Sequence, residues 1–128
     1  EQLGGLFPQT RIEVLSDDER LIESLLKAQG LVNATPVGMH VHPGMPLSES
    51  ALSAGVLCEG LWVADVIYLP QETQLVHAAR AAGCEVLTGG YMAVGQAVDA
   101  FRLFTKLEPN AERMAAHFEA LIAAQQGA

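Results

Sequence analysis

Short apolar runs alternate with amphipathic segments along the chain, and the two spacings separate strand candidates from helix candidates. Ile12 to Leu15 predicts a first short strand. Ser16, with Glu19 three residues on, forms a capping box, after which Leu21, Ile22, Leu25 and Leu26 share one helical face until Gly30 stops the helix. Leu31-Val32-Asn33 predicts a second strand, and Pro36 to Pro46, with Gly38 and Gly44, predicts loop, with a weak helical turn over Glu49 to Ala54. Leu61 to Tyr68 is a nearly continuous apolar run, the pattern of a parallel strand covered on both faces, and Pro70 stops it. Thr73 caps a helix carrying Leu75, Val76, Ala78, Ala79 and Ala82, and Gly83 releases the chain into a strand from Glu85 to Leu87. Gly89-Gly90 turns into a helix with Met92, Val94, Ala97, Val98, Phe101, Leu103 and Phe104. A last helix after Pro109-Asn110 presents Met114, Phe118, Leu121 and Ile122. At the other end, Glu1-Gln2-Leu3 before Gly4-Gly5 reads as the final turn of a helix, so the chain is expected to begin inside an element.

Strands that alternate with covering helices imply a parallel, open α/β sheet with right-handed crossovers. The expected architecture is a partial Rossmann-like parallel sheet of about four strands, with flanking helices and two C-terminal helices, in one domain over residues 1–128. A doubly wound dinucleotide fold is built from two three-stranded halves, and this pattern matches the second half.

Composition narrows the function. Of 128 residues, 50% are hydrophobic and 17% charged, enough to bury one core without staples. With Lys+Arg 7 against Asp+Glu 15 and a net charge of -8, the chain lacks the concentrated basic face that nucleic acid or an anionic membrane demands. Cys58 and Cys84 lie in apolar surroundings without redox-motif spacing and read as free thiols of a reducing cytoplasm. No apolar run approaches the ~20 residues of a membrane helix.

Ligands of open α/β sheets sit beyond the carboxyl ends of the strands, which directs attention to Asn33-Ala34-Thr35-Pro36, Tyr68-Leu69-Pro70 and Thr88-Gly89-Gly90. Gly89-Gly90 before a helix offers free N–H groups and close approach, though it also serves as a plain tight turn. Neither a G-x-G-x-x-G fingerprint nor a Walker loop is present. Gln96, one turn past Met92, needs a partner if buried: a hydroxylated ligand or a backbone carbonyl. Asp65 reads either as a buried structural acid or as part of a pocket. His40-x-His42 offers too few ligands for zinc, and Asp17-Asp18 fits a helix N-terminus better than an acid–base pair.

Four ordered segments then carry a resemblance: Asn33-Ala34-Thr35-Pro36-Val37-Gly38-Met39, Asp65 through Thr73, Gly89-Gly90-Tyr91-Met92-Ala93-Val94-Gly95-Gln96-Ala97, and Ala100 through Thr105. Together they resemble the C-terminal half of the shikimate/quinate dehydrogenase family, over Glu1 to about Phe118. The resemblance implies an enzyme dependent on NAD or NADP that acts on a small cyclic hydroxy acid: shikimate, quinate or their dehydro forms. By position it implies that Thr35 contacts the cofactor, that Val66 and Gly89 line its nicotinamide and ribose side, and that Met92 packs near the nicotinamide. Tyr68 and Gln96 resemble the residues that face the substrate. The family's catalytic Lys and Asp belong to an N-terminal substrate domain, and its glycine-rich loop also lies upstream, so no catalytic residue is expected among these 128. Leu69, Gln74, Thr88 and Lys106 depart from the biosynthetic pattern, and the Leu-Pro-x-Glu-Thr form looks closer to the quinate/shikimate branch. A non-catalytic α/β packing module, or a homo-oligomer built through apolar surface, stands as the alternative.

Overall fold

The computed structural model describes residues 5–126. In chain order these form α1 (Asp18–Leu25), β1 (Gly30–Asn33), α2 (Glu49–Ser53), β2 (Trp62–Asp65), α3 (Gln74–Ala81), β3 (Glu85–Leu87), α4 (Gly89–Thr105) and α5 (Ala111–Gln126). The three strands form one parallel sheet in the order β1-β2-β3. That sequential order matches one half of a doubly wound sheet.

Register assigns the two faces. Leu31, Val63 and Val86 lie side by side and look into a core built with Leu25, Leu47, Ala51, Val56, Leu61, Leu75 and Ala79. On the opposite face lie Val32, Ala64 and Leu87, of which Val32 and Leu87 are exposed. Trp62 is also exposed and covers Gly30, where an added Cβ would meet its ring at 1.9 Å. The expectation of cover on both faces therefore fails for β2 among the described residues: the helices cover one face only. The strand is also shorter than the apolar run, because Val66 to Leu69 leave the sheet for the loop that follows.

Local chemistry sets the helix ends. Asp17, not Ser16, caps α1, with its carboxylate accepting from the Arg20 N–H at 2.8 Å. This helix stops at Leu25, and Gly30 opens β1 rather than closing the helix. Ser48 caps α2, Thr73 caps α3, and Asn110 accepts from the Arg113 N–H at 2.8 Å to cap α5. Gly89 and Gly90 are the first residues of α4 itself. This helix ends at Lys106, a non-glycine residue held left-handed at φ 60.

The strand expected at Ile12 to Leu15 is irregular chain, so among the described residues the sheet has three strands where about four were expected. An apolar tetrapeptide becomes a strand only beside a hydrogen-bonding neighbour. Here Val14 is exposed and Glu13 pairs with Arg11 and Arg20 instead. The helix end expected over Glu1 to Gly4 lies outside the described residues.

Candidate functional site at the strand ends

The carboxyl ends of β1 and β2 are joined by a buried polar network. Asn33 and Asp65 are register partners, and both are buried. Asp65 Oδ1 accepts from Asn33 Nδ2 at 3.1 Å and from the Ile67 N–H at 3.0 Å, while Oδ2 accepts from Thr73 Oγ1 at 2.7 Å. Thr73 Oγ1 in turn accepts from the Val76 N–H, so one carboxyl group ties β2 to β1 and to the start of α3. Burying a carboxyl group is costly unless each lone pair finds a donor, and here three donors converge on it. Asp65 is thus the buried, hydrogen-bonded acid, and it sits directly behind the strand-end loops.

Those loops enclose a hollow of about 490 Å³. Thr35, Met39, His40 and Val41 form one wall, and Val66 and Tyr68 the other. Asn33 Oδ1 holds both the N–H and the Oγ1 of Thr35, at 3.2 and 2.7 Å, which fixes the first wall. Gly89 abuts the second wall from behind. A Cβ there would stand 2.5 Å from the Ile67 carbonyl group and 2.6 Å from the Val66 oxygen, so α4 begins at a distance from β2 that only glycine permits. The lining is mainly apolar with a hydroxyl, an imidazole and a phenol at its edge, and it holds no nucleophile paired with a base.

A second hollow, about 610 Å³, lies between α4, α5 and the loop at Gln71 and Glu72. Gly90, Tyr91, Val98, Arg102 and Phe118 border it. Its charged groups are mostly paired: Arg80 with Glu72, and Arg102 with Asp99 and Glu108.

Thr35, Val66 and Tyr68 therefore meet in one hollow, and Gly89 shapes its rear wall. Met92 and Gln96 do not join them. Both are exposed on α4 and line neither hollow, because Tyr91, Val94, Gly95, Val98 and Arg102 turn toward the second hollow and leave these two on another face. Gln96 is not a buried amide in need of a partner. Tyr68 and Gln96 share no hollow among those two. Reading the sequence passed over Met39, His40 and Val41 as lining residues. Gly38, at φ 117, bends the chain there and brings the three toward Tyr68. Among the described residues no group of three or more His, Cys, Asp or Glu is placed to hold a metal ion. Cys84 donates to the Cys58 carbonyl oxygen at 3.3 Å, and burial is the main cause that raises the Cys84 thiol above its ordinary pKa.

No family model matches the chain. A shikimate dehydrogenase (NADP(+)) of Arthrobacter sp. (strain FB24) is 51% identical to it over 125 residues, which is 98% of this chain and 41% of that protein. The chain is similar to the C-terminal part of the shikimate/quinate dehydrogenases. A second relative, the quinate/shikimate dehydrogenase (NAD(+)) of Corynebacterium glutamicum (strain R), is 51% identical over 112 residues, covering 87% of this chain and 38% of its own length. The solved quinate dehydrogenase from Corynebacterium glutamicum in complex with NAD superposes with a TM-score of 0.72 at 48% identity, over 82% of this chain and 36% of that one. The chain thus spans about two fifths of the length of the shikimate/quinate dehydrogenases it matches.

Proposed function

We propose that the chain is the C-terminal part of the cofactor-binding domain of an NAD(P)-dependent shikimate/quinate-type dehydrogenase. In this reading the complete enzyme moves a hydride between the nicotinamide and a hydroxyl-bearing carbon of a cyclohexane or cyclohexene carboxylic acid. The observation that carries it is the hollow bordered by Thr35, Val66 and Tyr68 at the carboxyl ends of adjacent parallel strands, where open α/β sheets receive their ligands.

The residues fit the group. The apolar wall at Val66 suits the face of a nicotinamide ring, and the close approach at Gly89 keeps side chains out of the space behind it. The nicotinamide, when bound, supplies or accepts the hydride. In this reading Thr35 anchors the cofactor and Tyr68, half exposed at the rim, meets the hydroxy acid, while Met92, which the resemblance sets near the nicotinamide, and Gln96, which it sets at the substrate, are exposed on α4 outside the hollow. The contribution of this chain is orientation. Proton transfer falls to the Lys and Asp that the family resemblance assigns to an N-terminal substrate domain. Free Cys58 and Cys84 accord with a reducing, cytoplasmic setting.

Calorimetric titration of the purified chain with NAD, NADP, shikimate and quinate tests this directly. Saturable heat with a dinucleotide, and no oxidation of either acid, is the expected pair of results. Turnover by the chain alone would refute the division of labour, and absence of dinucleotide heat would refute the cofactor role.

A packing module without its own activity is a second reading. It is favoured by Phe104 and Tyr91, large apolar side chains on α4 that are 82% and 78% exposed. Self-association without ligand heat would select it.

A further inference from the structure

The network behind the hollow fixes which way the Thr35 hydroxyl points, and this deepens the cofactor reading, on which it rests. The Asn33 amide has a forced orientation. Its Nδ2 faces two acceptors, the Val37 carbonyl oxygen at 3.1 Å and Asp65 Oδ1 at 3.1 Å, and exchanging nitrogen for oxygen would set acceptor against acceptor twice. Asn33 Oδ1 therefore faces Thr35. It accepts from the Thr35 N–H at 3.2 Å and lies 2.7 Å from Thr35 Oγ1, where the hydroxyl hydrogen must go. Thr35 Oγ1 itself accepts from the Val37 N–H at 3.2 Å.

A threonine hydroxyl has one hydrogen and two lone pairs. Its hydrogen is committed to Asn33 and one lone pair to Val37, so a single lone pair remains at the edge of the hollow. The partners of Asn33 lock this arrangement. The Val37 carbonyl oxygen and Asp65 Oδ1 each take one amide hydrogen, and Asp65, 2% exposed, is itself held by Ile67 N–H and Thr73 Oγ1–H.

We propose that Thr35 meets its ligand as a hydrogen-bond acceptor, and that Asn33, locked by Val37 and Asp65, is the positioning residue that sets this polarity. The ligand group at Thr35 is then an N–H or O–H donor, not a phosphodiester oxygen, which carries no hydrogen to give. In a nicotinamide adenine dinucleotide the available donors are the ribose hydroxyls, the carboxamide NH2 and the adenine amino group. Asn33→Ala removes the oxygen that takes the Thr35 hydroxyl hydrogen and so releases that hydrogen.

Two measurements on the purified chain test this. The first needs no ligand: NMR in mixed light and heavy water, reading hydroxyl exchange through the isotope shift at Thr35 Cβ. A slowly exchanging hydroxyl in the wild type that becomes fast in Asn33→Ala, with the amide spectrum otherwise kept, supports the proposal, and one that stays slow in that variant overturns it. A freely exchanging wild-type hydroxyl overturns it. The second compares binding of NAD with acetylpyridine adenine dinucleotide, which lacks the amide N–H, with nicotinamide hypoxanthine dinucleotide, which lacks the adenine amine, and with NAD lacking a ribose hydroxyl. One deletion should weaken wild-type binding about five- to tenfold, the worth of one neutral hydrogen bond. Thr35→Val, an exposed position that does not threaten folding, should weaken NAD by a similar factor and become indifferent to that same deletion, while Thr35→Ser keeps the discrimination. Equal binding of every form to wild type and Thr35→Val overturns the proposal. A locked hydroxyl without any dinucleotide binding would remove the cofactor reading and leave the polarity standing.

Discussion

At the scale of single residues, the strand-end positions were legible in the sequence because the rule that points to them depends only on where strands stop. Asn33-Ala34-Thr35-Pro36 and Tyr68-Leu69-Pro70 read as two such ends, and Ala34, Thr35, Pro36, Tyr68 and Leu69 meet in one hollow, whereas Val66 was pointed to only by the family resemblance. The direction of each hydrogen bond was not legible, since Asn33 and Asp65 are 32 residues apart and become partners only through parallel register. Glycine gives the sharpest contrast between positions that look alike in sequence. At Gly89 a Cβ would meet the backbone of Val66 and Ile67, which cannot move without shifting β2, whereas at Gly95 nothing lies within 4 Å. Gly89→Ala is therefore expected to destabilise by about 1–3 kcal/mol, as overpacking does, and to weaken dinucleotide binding. Gly95→Ala in the same helix is expected to stabilise by about 0.5–1 kcal/mol, because alanine loses less conformational freedom than glycine in a helix. Urea denaturation of the two variants checks both, and equal effects would contradict the close approach of α4 to β2.

Apart from α1, whose cap is Asp17 and not Ser16 and which stops before Gly30, the elements followed the sequence where a cap or a period fixed them, and departed from it where a partner was needed. Thr73 opens α3 and Asn110 precedes α5 as their side chains predict, while Ile12 to Leu15 has the composition of a strand and no neighbour to pair with. The corner between α4 and α5 was illegible for another reason: it depends on ions brought together by a turn. Arg102 grips the Glu108 carboxylate with Nε and Nη2 and also reaches Asp99 at 3.0 Å, and these bonds hold Glu108 below its ordinary carboxylate pKa and raise Arg102. A carboxylate whose pKa is lower in the folded state stabilises that state above its unfolded pKa, and the contribution is lost as pH falls through the lower folded value. The corner should therefore loosen on acidification below the ordinary glutamate value of 4.5. The pair is fully exposed, so added salt should loosen it as well. Amide exchange at Leu107 and Arg113 measures this, and in Glu108→Gln the acid-dependent step should be missing.

For the molecule as a whole, the uneven covering of the sheet decides behaviour in solution. Helices α1 to α3 bury one face, while Val32, Trp62 and Leu87 on the other are exposed, and Tyr91, Leu103 and Phe104 extend the apolar surface along α4. The apolar run from Leu61 to Tyr68 correctly signalled a strand in a parallel sheet. It overstated the cover, because the pattern records what a strand is built to pack against, and here one of those layers is not among the described residues. Parallel sheets are stable when both faces are covered, so a bare face is a surface that seeks another. The isolated chain is expected to self-associate with rising concentration, held off only in part by its net charge of -8. Leu87→Ser should lower the weight-average mass measured by light scattering more than Phe104→Ser, since Leu87 lies on the bare face of the sheet itself, beside Ala64 of the central strand, whereas Phe104 stands near the end of α4. Neither change touches the core or the hollow at Thr35, so dinucleotide binding should persist in both variants. The reverse order would move the adhesive surface from the sheet to α4, and a chain that stays monomeric throughout would show that the uncovered face is tolerated in water.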